Sequence, residues 1–315
     1  MQANTNSEFD QPVFSKICFG CEPLGGVDWG EVNLNDIETA IHSALDNGID
    51  FFDTAASYGL GLSESRLSEI LGEKRHHLLL ATKGGLKWGT PEFSGRANVI
   101  KDSSITSLRA GVEGSLRRLR IDQIPLFYIH WPDSSCDLRD TFDFLMNLRH
   151  EGKIRYIGCS NFNANELQVA CSVAEVSVLQ VPINMLSPPI SSEMESVVTK
   201  NRVQIVAYNV LANGLLTGKF NSHTRFPKSD RRSRLSLFQG EKYQKALQEV
   251  SLLSRAAADQ DLTLAQFAIK WALDQQHVSS VVLGIKSQKQ ILENCALYCS
   301  TPKPVVTGIF KPLFK

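Results

Sequence analysis

The chain has 315 residues, 43% of them hydrophobic, with 33 Lys+Arg against 33 Asp+Glu. That length accommodates one large domain or two ordinary ones, each with a full core. Zero net charge argues against a dedicated nucleic-acid partner, and no apolar run reaches the roughly 18–20 residues of a membrane span.

Residues 1–13 form a polar, acidic tail beginning MQANTNSEFDQP. It has neither the apolar stretch of a secretory signal nor the Arg-rich pattern of a transit peptide. The seven cysteines are scattered and odd in number, so free thiols and a cytoplasmic location are expected. The first strand is predicted at 16–20. Cys18 and Cys21 make a C-x-x-C there, but no second C-x-x-C and no His at finger spacing follow. They read as small residues at a strand end, and no metal is expected.

A helix follows, with Ile37, Ala40, Ile41, Ala44 and Leu45 on one stripe. Asn35 and Glu38 stand at capping-box spacing before it, and Gly48 stops it. Strand two (49–53) precedes the stripe Leu67, Ile70 and Leu71, ended by Gly72. Strand three (78–82) precedes a longer stripe of Ile105, Leu108, Val112, Leu116 and Leu119. Strand four (124–130) leads to Phe142, Leu145, Met146 and Leu148, ending near Gly152. Strand five (155–160) is followed by Asn163 and Glu166, capping a segment with Leu167, Ala170 and Cys171. Strands six and seven fall at 178–183 and 204–208. The stretch 217–240 is polar and basic with Gly, Ser and Pro, and reads as a long surface loop. Thr263 and Gln266 cap a helix holding Phe267, Ala268 and Trp271. Strand eight (280–284) and a helix capped by Ser287 and Gln290 close the series.

Eight short apolar runs alternating with amphipathic segments predict a single (β/α)8 TIM barrel over 14–298, with a tail at 299–315. A doubly wound sheet is the runner-up. It would carry G-x-G-x-x-G after strand one, where this chain has GCEPLGG.

In such a barrel the chemistry sits at the C-terminal ends of the strands. Strand two ends in Asp53 with Tyr58 just beyond, strand three at Lys83, and strand four in His130. Any one of these is readily structural; four at three successive strand ends form a set. A free phenol, with a pKa of about 10, donates poorly near neutrality. A neighbouring ammonium is expected to lower that value, a carboxylate to keep the ammonium charged, and an imidazole to hydrogen-bond the phenol or the substrate oxygen. The matching reaction is carbonyl reduction.

The segments GIDFFDTAASYG, LLLATKGG, SLRRLRID, FYIHWPD, GKIRYIGCSNF, AYNVLANGLLTGK and GIKSQKQILEN, in this order, resemble the aldo-keto reductases over residues 14–298. The likeness is greatest to the branch of bacterial sugar and aldehyde reductases and potassium-channel β subunits. It implies a nicotinamide cofactor held without a Rossmann fold. By position Tyr58 is the general acid, Lys83 its modulator, Asp53 the partner of Lys83, and His130 the group that orients the carbonyl. Ser160, Asn161 and Gln180 match the carboxamide site, and Tyr208 the aromatic under the nicotinamide ring. Asn209, Leu211 and Gly214 follow the pyrophosphate. Gly284, Lys286, Ser287 and Gln290 surround the 2′-phosphate, while Glu293 and Asn294 face the adenine. A capped helix start with an adjacent Lys independently suits a phosphate, so NADPH is expected over NADH.

Departures from the family pattern are Cys21 and Glu22 at cofactor-side positions, Pro125 in strand four, and no aromatic near Ile183. Trp29, Trp88 and Trp131 follow strand ends and are expected to wall the substrate pocket. Trp271 reads as packing between barrel and helices. Arg225, Lys228, Arg231, Arg232 and Arg234 in the long loop fit either a basic flap over the cofactor phosphates or a solvated loop.

The expected function is NADPH-dependent reduction of an aldehyde or ketone, with a sugar or an aromatic aldehyde among the candidates. The alternatives are a cofactor-binding regulatory subunit with little turnover, and a sugar 1-dehydrogenase running the chemistry in reverse. A Schiff-base lyase would need Lys83 with a depressed pKa, which Asp53 opposes.

Overall fold

The computed structural model describes residues 11–90 and 97–299. Its strands are β1 (Ile17–Gly20), β2 (Phe51–Asp53), β3 (Leu79–Gly84), β4 (Leu86–Trp88), β5 (Val99–Lys101), β6 (Ile124–Ile129), β7 (Ile154–Ser160), β8 (Val176–Pro182), β9 (Gln204–Tyr208) and β10 (Val278–Gly284). Eight of them close a parallel barrel in the order β1-β10-β9-β8-β7-β6-β3-β2. These are the eight strands expected. β4 and β5 form an antiparallel hairpin inserted after β3, which was not expected.

Strand residues alternate between two cores, as the two-residue period requires. Cys18, Phe51, Ala81, Leu126, Tyr128, Val178 and Val206 fill the barrel. Their neighbours Phe52, Leu80, Phe127 and Leu179 face the surrounding helices. Tyr128 sits beside Gly158, where a Cβ would lie 2.4 Å from the ring. The phenol ring therefore occupies the space a side chain would need. Phe14 stacks on Phe51 with ring centroids 4.8 Å apart and closes the barrel floor. Gln11 and Pro12, placed in the tail by the sequence, already belong to this floor: Gln204 donates to the Pro12 carbonyl and Gln11 to that of Arg202.

The helices are α1 (Leu34–Asp46), α2 (Leu62–Leu71), α3 (Ile105–Leu119), α4 (Leu138–His150), α5 (Ala164–Val173), α6 (Ser192–Asn201), α7 (Gly240–Ala258), α8 (Leu264–Leu273) and α9 (Gln288–Cys299). The capping boxes of α5 (Asn163, Glu166) and α8 (Thr263, Gln266) form as expected. That of α1 does not: its N-cap is Asn33, which accepts from the Asn35 amide, so Asn35 lies inside the first turn. At α9 the Gln290 side chain accepts from Lys286, one residue before the expected cap. α6 and α7 were not foreseen. α7 joins α8 in a second helical core under the long loop, with Tyr243, Ala246, Val250, Phe267 and Ala268. Trp271 packs against both cores, between barrel and helices.

Candidate active site

Strand periodicity builds the first wall. Lys83 stands two residues after the inward Ala81, at the C-terminal end of β3, so it shares the interior face. It is 2% exposed and Asp53 3%. The Lys83 ammonium donates to Asp53 Oδ1 at 2.5 Å, to the Thr54 carbonyl at 2.9 Å and to the Tyr58 hydroxyl at 3.4 Å. All three of its N–H groups are thereby used. The second Asp53 oxygen accepts from Gln180 Nε2 at 2.8 Å. A buried ion pair is tolerable only when its remaining lone pairs and protons are satisfied in this way.

Tyr58 meets His130 edge-on, with ring centroids 5.9 Å apart. Burial, then the charges of Glu22 and Asp53, push the Tyr58 phenol well above its ordinary value. The net direction is opposite to the one expected, because the loss of water and the carboxylates outweigh the lowering by Arg231. Burial, then Lys83, holds the His130 imidazole well below its usual range. It is therefore neutral near pH 7, and its buried Nδ1 has no hydrogen-bond partner among the described residues.

Opposite this group, Ser160 and Gln180 are buried at the ends of β7 and β8 and lie in register. Asn161 adopts φ 63°, a region Asn tolerates. Its amide donates to the His130 carbonyl and to Ser160 Oγ, and its oxygen accepts from the Tyr208 hydroxyl at 2.6 Å. The half-buried Tyr208 ring is thus pinned at its rim. Beyond it the backbone coils tightly, with positive φ at Asn209, Ala212, Asn213 and Gly214. Asn209 Oδ1 accepts from the Asn213 amide, and the Gly214 amide donates to the Leu211 carbonyl.

The loop after β1 and the loop before α7 meet over the mouth. Asp28 and Asp230 pair as a parallel bridge. The Arg231 amide donates to the Asp28 carbonyl at 2.9 Å, and the Arg234 guanidinium binds the Asp28 carboxylate at 2.7 Å. Arg231 also pairs with Glu22 at 3.0 Å. Arg232 grips the buried Asp230 through two nitrogens. Lys286 donates to the Trp29 carbonyl. Burial, then Arg232, lowers the Lys286 ammonium below its usual value.

This clasp divides the basic loop. Arg231 and Arg232 turn inward, whereas Arg225 and Lys228 are exposed and Arg225 bonds carbonyls of its own loop. It also takes up Trp29, whose ring lies against Arg231 and Arg232 at 5.4 and 5.9 Å. Trp88 is half-buried in the hairpin. Trp131, 41% exposed, lies under Lys101. The three tryptophans are therefore split between clasp and hairpin. On the α9 side, Gly284 is exposed, Ser287 and Glu293 are half-buried and Asn294 is buried. The Glu293 carbonyl accepts from Gln266.

Sequence reasoning missed Glu22, Asp28 and Asp230 as parts of the mouth. Only Glu22 had left a trace, as a carboxylate where the family pattern differs. Cys18 and Cys21 are free, buried thiols that both donate to the Phe19 carbonyl. No cluster of three or more metal-ligating side chains occurs among the described residues, and no helix among them is long and apolar enough to cross a membrane.

The model of the Aldo/keto reductase family matches residues 16–303. Aldo-keto reductase YhdN of Bacillus subtilis is 30% identical over 283 residues, spanning 88% of this chain and 83% of that protein. The NADH-specific methylglyoxal reductase of Escherichia coli is 28% identical over 281 residues, with 86% of each chain covered. Among solved structures, the glycerol dehydrogenase AKR11B4 of Gluconobacter oxydans superposes with a TM-score of 0.83 at 33% identity. That likeness covers 92% of this chain and 88% of the other.

Proposed function

The chain belongs to the aldo/keto reductase family and is an NAD(P)H-dependent oxidoreductase, and from that premise we propose that it reduces a small aldehyde or ketone with NADPH, using Tyr58 as proton donor. The observation that carries the reading is the Lys83 ammonium, bonded at once to Asp53, Thr54 and the Tyr58 hydroxyl.

The donor set fits a nicotinamide dinucleotide. Tyr208 offers a flat ring pinned by Asn161, which bonds Ser160, and Ser160 lies in register with Gln180; their amide and hydroxyl groups suit a carboxamide. Asn209, Leu211 and Gly214 would follow the pyrophosphate. Arg232 and Lys286 suit phosphate charge, and burial, then Arg232, lowers the Lys286 ammonium. Gly284, Ser287, Gln290, Glu293 and Asn294 would hold the adenosine end. When bound, the reduced nicotinamide supplies the hydride for the carbonyl carbon.

The chain's own residues manage the proton. His130, neutral, donates to the carbonyl oxygen and aims it at Tyr58. The raised phenol keeps its proton across neutral pH. As negative charge develops on the substrate oxygen, Tyr58 transfers that proton, and Lys83 beside it offsets the phenolate charge left behind. Asp53, itself held by Gln180, fixes the ammonium in place. In the oxidative direction the same groups act in reverse.

The cofactor preference rests on Arg232 and Lys286, since one relative is named NADH-specific. Consumption of NADPH and of NADH, measured over aromatic, aliphatic, dicarbonyl and hydroxylated aldehydes, tests the proposal. Turnover should fall by about 10²–10⁴-fold in Tyr58→Phe. Tight NADPH binding with no turnover on any class would overturn it and leave a regulatory subunit.

A further inference from the structure

Two polar side chains in the first turn of α2 hold the backbone around Lys83. The turn carrying Tyr58 runs directly into this helix, Leu62 closing the turn and opening α2. Ser63 and Glu64 follow, and both are fully buried. Glu64 Oε1 accepts from the Thr82 hydroxyl at 2.6 Å, and Oε2 from Arg118 Nε at 2.6 Å. Arg118 is itself lodged between two glycines: a Cβ on Gly61 or on Gly114 would lie 2.7 or 2.9 Å from it. Thr82 precedes Lys83 on β3, so the two side chains leave the strand on opposite faces. Glu64 therefore grips the strand from outside the barrel, at the residue next to Lys83. The Ser63 hydroxyl donates to the Cys21 carbonyl at 2.7 Å, which uses its one proton, so at 2.8 Å it accepts from the Thr54 hydroxyl. Thr54 is the residue whose carbonyl holds the Lys83 ammonium.

We infer that Glu64 and Ser63 are positioning residues for the proton transfer: through Thr82 and Thr54 they tie the start of α2 to both backbone segments around Lys83, and so set the distance from its ammonium to the Tyr58 hydroxyl. The inference rests on the reading of Tyr58 as proton donor. That distance is sensitive, because at 3.4 Å the bond already lies past the usual range of roughly 2.7–3.2 Å. A further few tenths of an ångström would part the two groups, and the phenolate left by proton transfer would lose its counter-charge. A buried carboxylate is a costly way to seat a helix on a strand, since an apolar side chain of that size does so without desolvating a charge. What the carboxylate adds is direction. One oxygen fixes α2 to β3 and the other fixes it to α3, so the Tyr58 turn and Lys83 share one frame.

The test uses NADPH with whichever of benzaldehyde, propionaldehyde, methylglyoxal and glyceraldehyde the wild type reduces fastest. Thr82→Val removes the hydroxyl, keeps the shape and leaves the Glu64–Arg118 pair in place. It should lower kcat by about 10–100-fold, with KM and the Kd of NADPH within about threefold of wild type. Thr82→Ser keeps the hydroxyl and should hold kcat within about threefold of wild type. Ser63→Ala, on the other branch, should lower kcat in the same manner, and it decides by the same criteria if Thr82→Val does not fold. A merely structural role would lower Tm and leave kcat per folded molecule unchanged. Wild-type kcat in Thr82→Val, an equal loss in Thr82→Ser, or a loss confined to KM or to the Kd of NADPH would each overturn the inference. Tyr58→Phe separates the two readings. If it reduces the aldehyde as fast as wild type, the proton-donor reading fails. If it is inactive while Thr82→Val keeps the wild-type kcat, only the positioning role fails.

Discussion

Gly25 and Gly59 touch backbone to backbone: a Cβ on Gly59 would lie 2.2 Å from the Gly25 carbonyl oxygen. Gly59 also adopts φ 59°, where L side chains are strained. This contact sets the turn carrying Tyr58 against the turn carrying Glu22. Gly59→Ala should therefore lose roughly 2–4 kcal/mol in a urea melt. Its kcat should fall by about 10²-fold through displacement of Tyr58. An active, fully stable variant would refute the assignment.

The Asp53–Lys83 pair is buried, and truncating one member strands the other. Lys83→Met should cost about 3–5 kcal/mol in unfolding free energy. Adding Asp53→Leu should restore part of it, because a desolvated charge is removed. Neither variant should turn over substrate. Denaturant melts of the single and double variants check both statements.

His130 titrates below its ordinary range, so the folded chain resists its protonation while the unfolded chain accepts the proton at about 6.5. The resulting stability is complete above about pH 6.5 and is lost as pH falls from there toward the folded value. Wild type should lose more Tm between pH 7.5 and 5.5 than His130→Gln. Identical losses would show that His130 is not held neutral. In a separate pH profile of activity, reduction should show no alkaline limb below about pH 10, since the Tyr58 shift is upward.

The Tyr128 hydroxyl is buried in the barrel without a hydrogen-bond partner among the described residues. Tyr128→Phe removes an unsatisfied polar group and keeps the ring that fills the space above Gly158. It should be neutral to stabilising, by up to about 1–3 kcal/mol. A clear loss of stability would mean that the hydroxyl is satisfied by bound water.

Lys286→Met tests the cofactor assignment. NADPH affinity should weaken by about 10–100-fold, the worth of one charge-assisted hydrogen bond. NADH affinity should change less than threefold. Titration of protein fluorescence with each nucleotide reads both constants, and a parallel loss for the two would remove Lys286 from the 2′-phosphate.

What was legible in the sequence was local. Alternating pairs such as Phe51 and Phe52 declare a strand with two buried faces, and the polar residues at successive strand ends could be named because each closes an apolar run, and they meet at one end of the barrel. The clasp was not legible, because Asp28 and Arg234 are 206 residues apart and no short pattern joins them. α7 escaped because nothing marks its start: its N-cap Gln239 makes no side-chain cap, although Tyr243, Val250 and Leu253 lie on one stripe. α6 escaped because only Met194 and Val198 are buried along it. Asn33 and Asn35 could each cap α1, and spacing alone favoured the wrong one. The upward shift of Tyr58 depends on burial and on Glu22, neither of which a motif conveys.

The strand seam has a consequence for how the chain is made. β1 pairs with β10, the first strand with the last. A ribosome must therefore release everything from residue 17 to residue 284 before the ring can shut. Until β10 emerges, β1 and β9 are both bare sheet edges, the kind of surface on which chains aggregate. Nascent chains stalled before residue 278 should be the species that chaperones bind most and that precipitates first. Those stalled well beyond 284 should resist protease as the finished protein does.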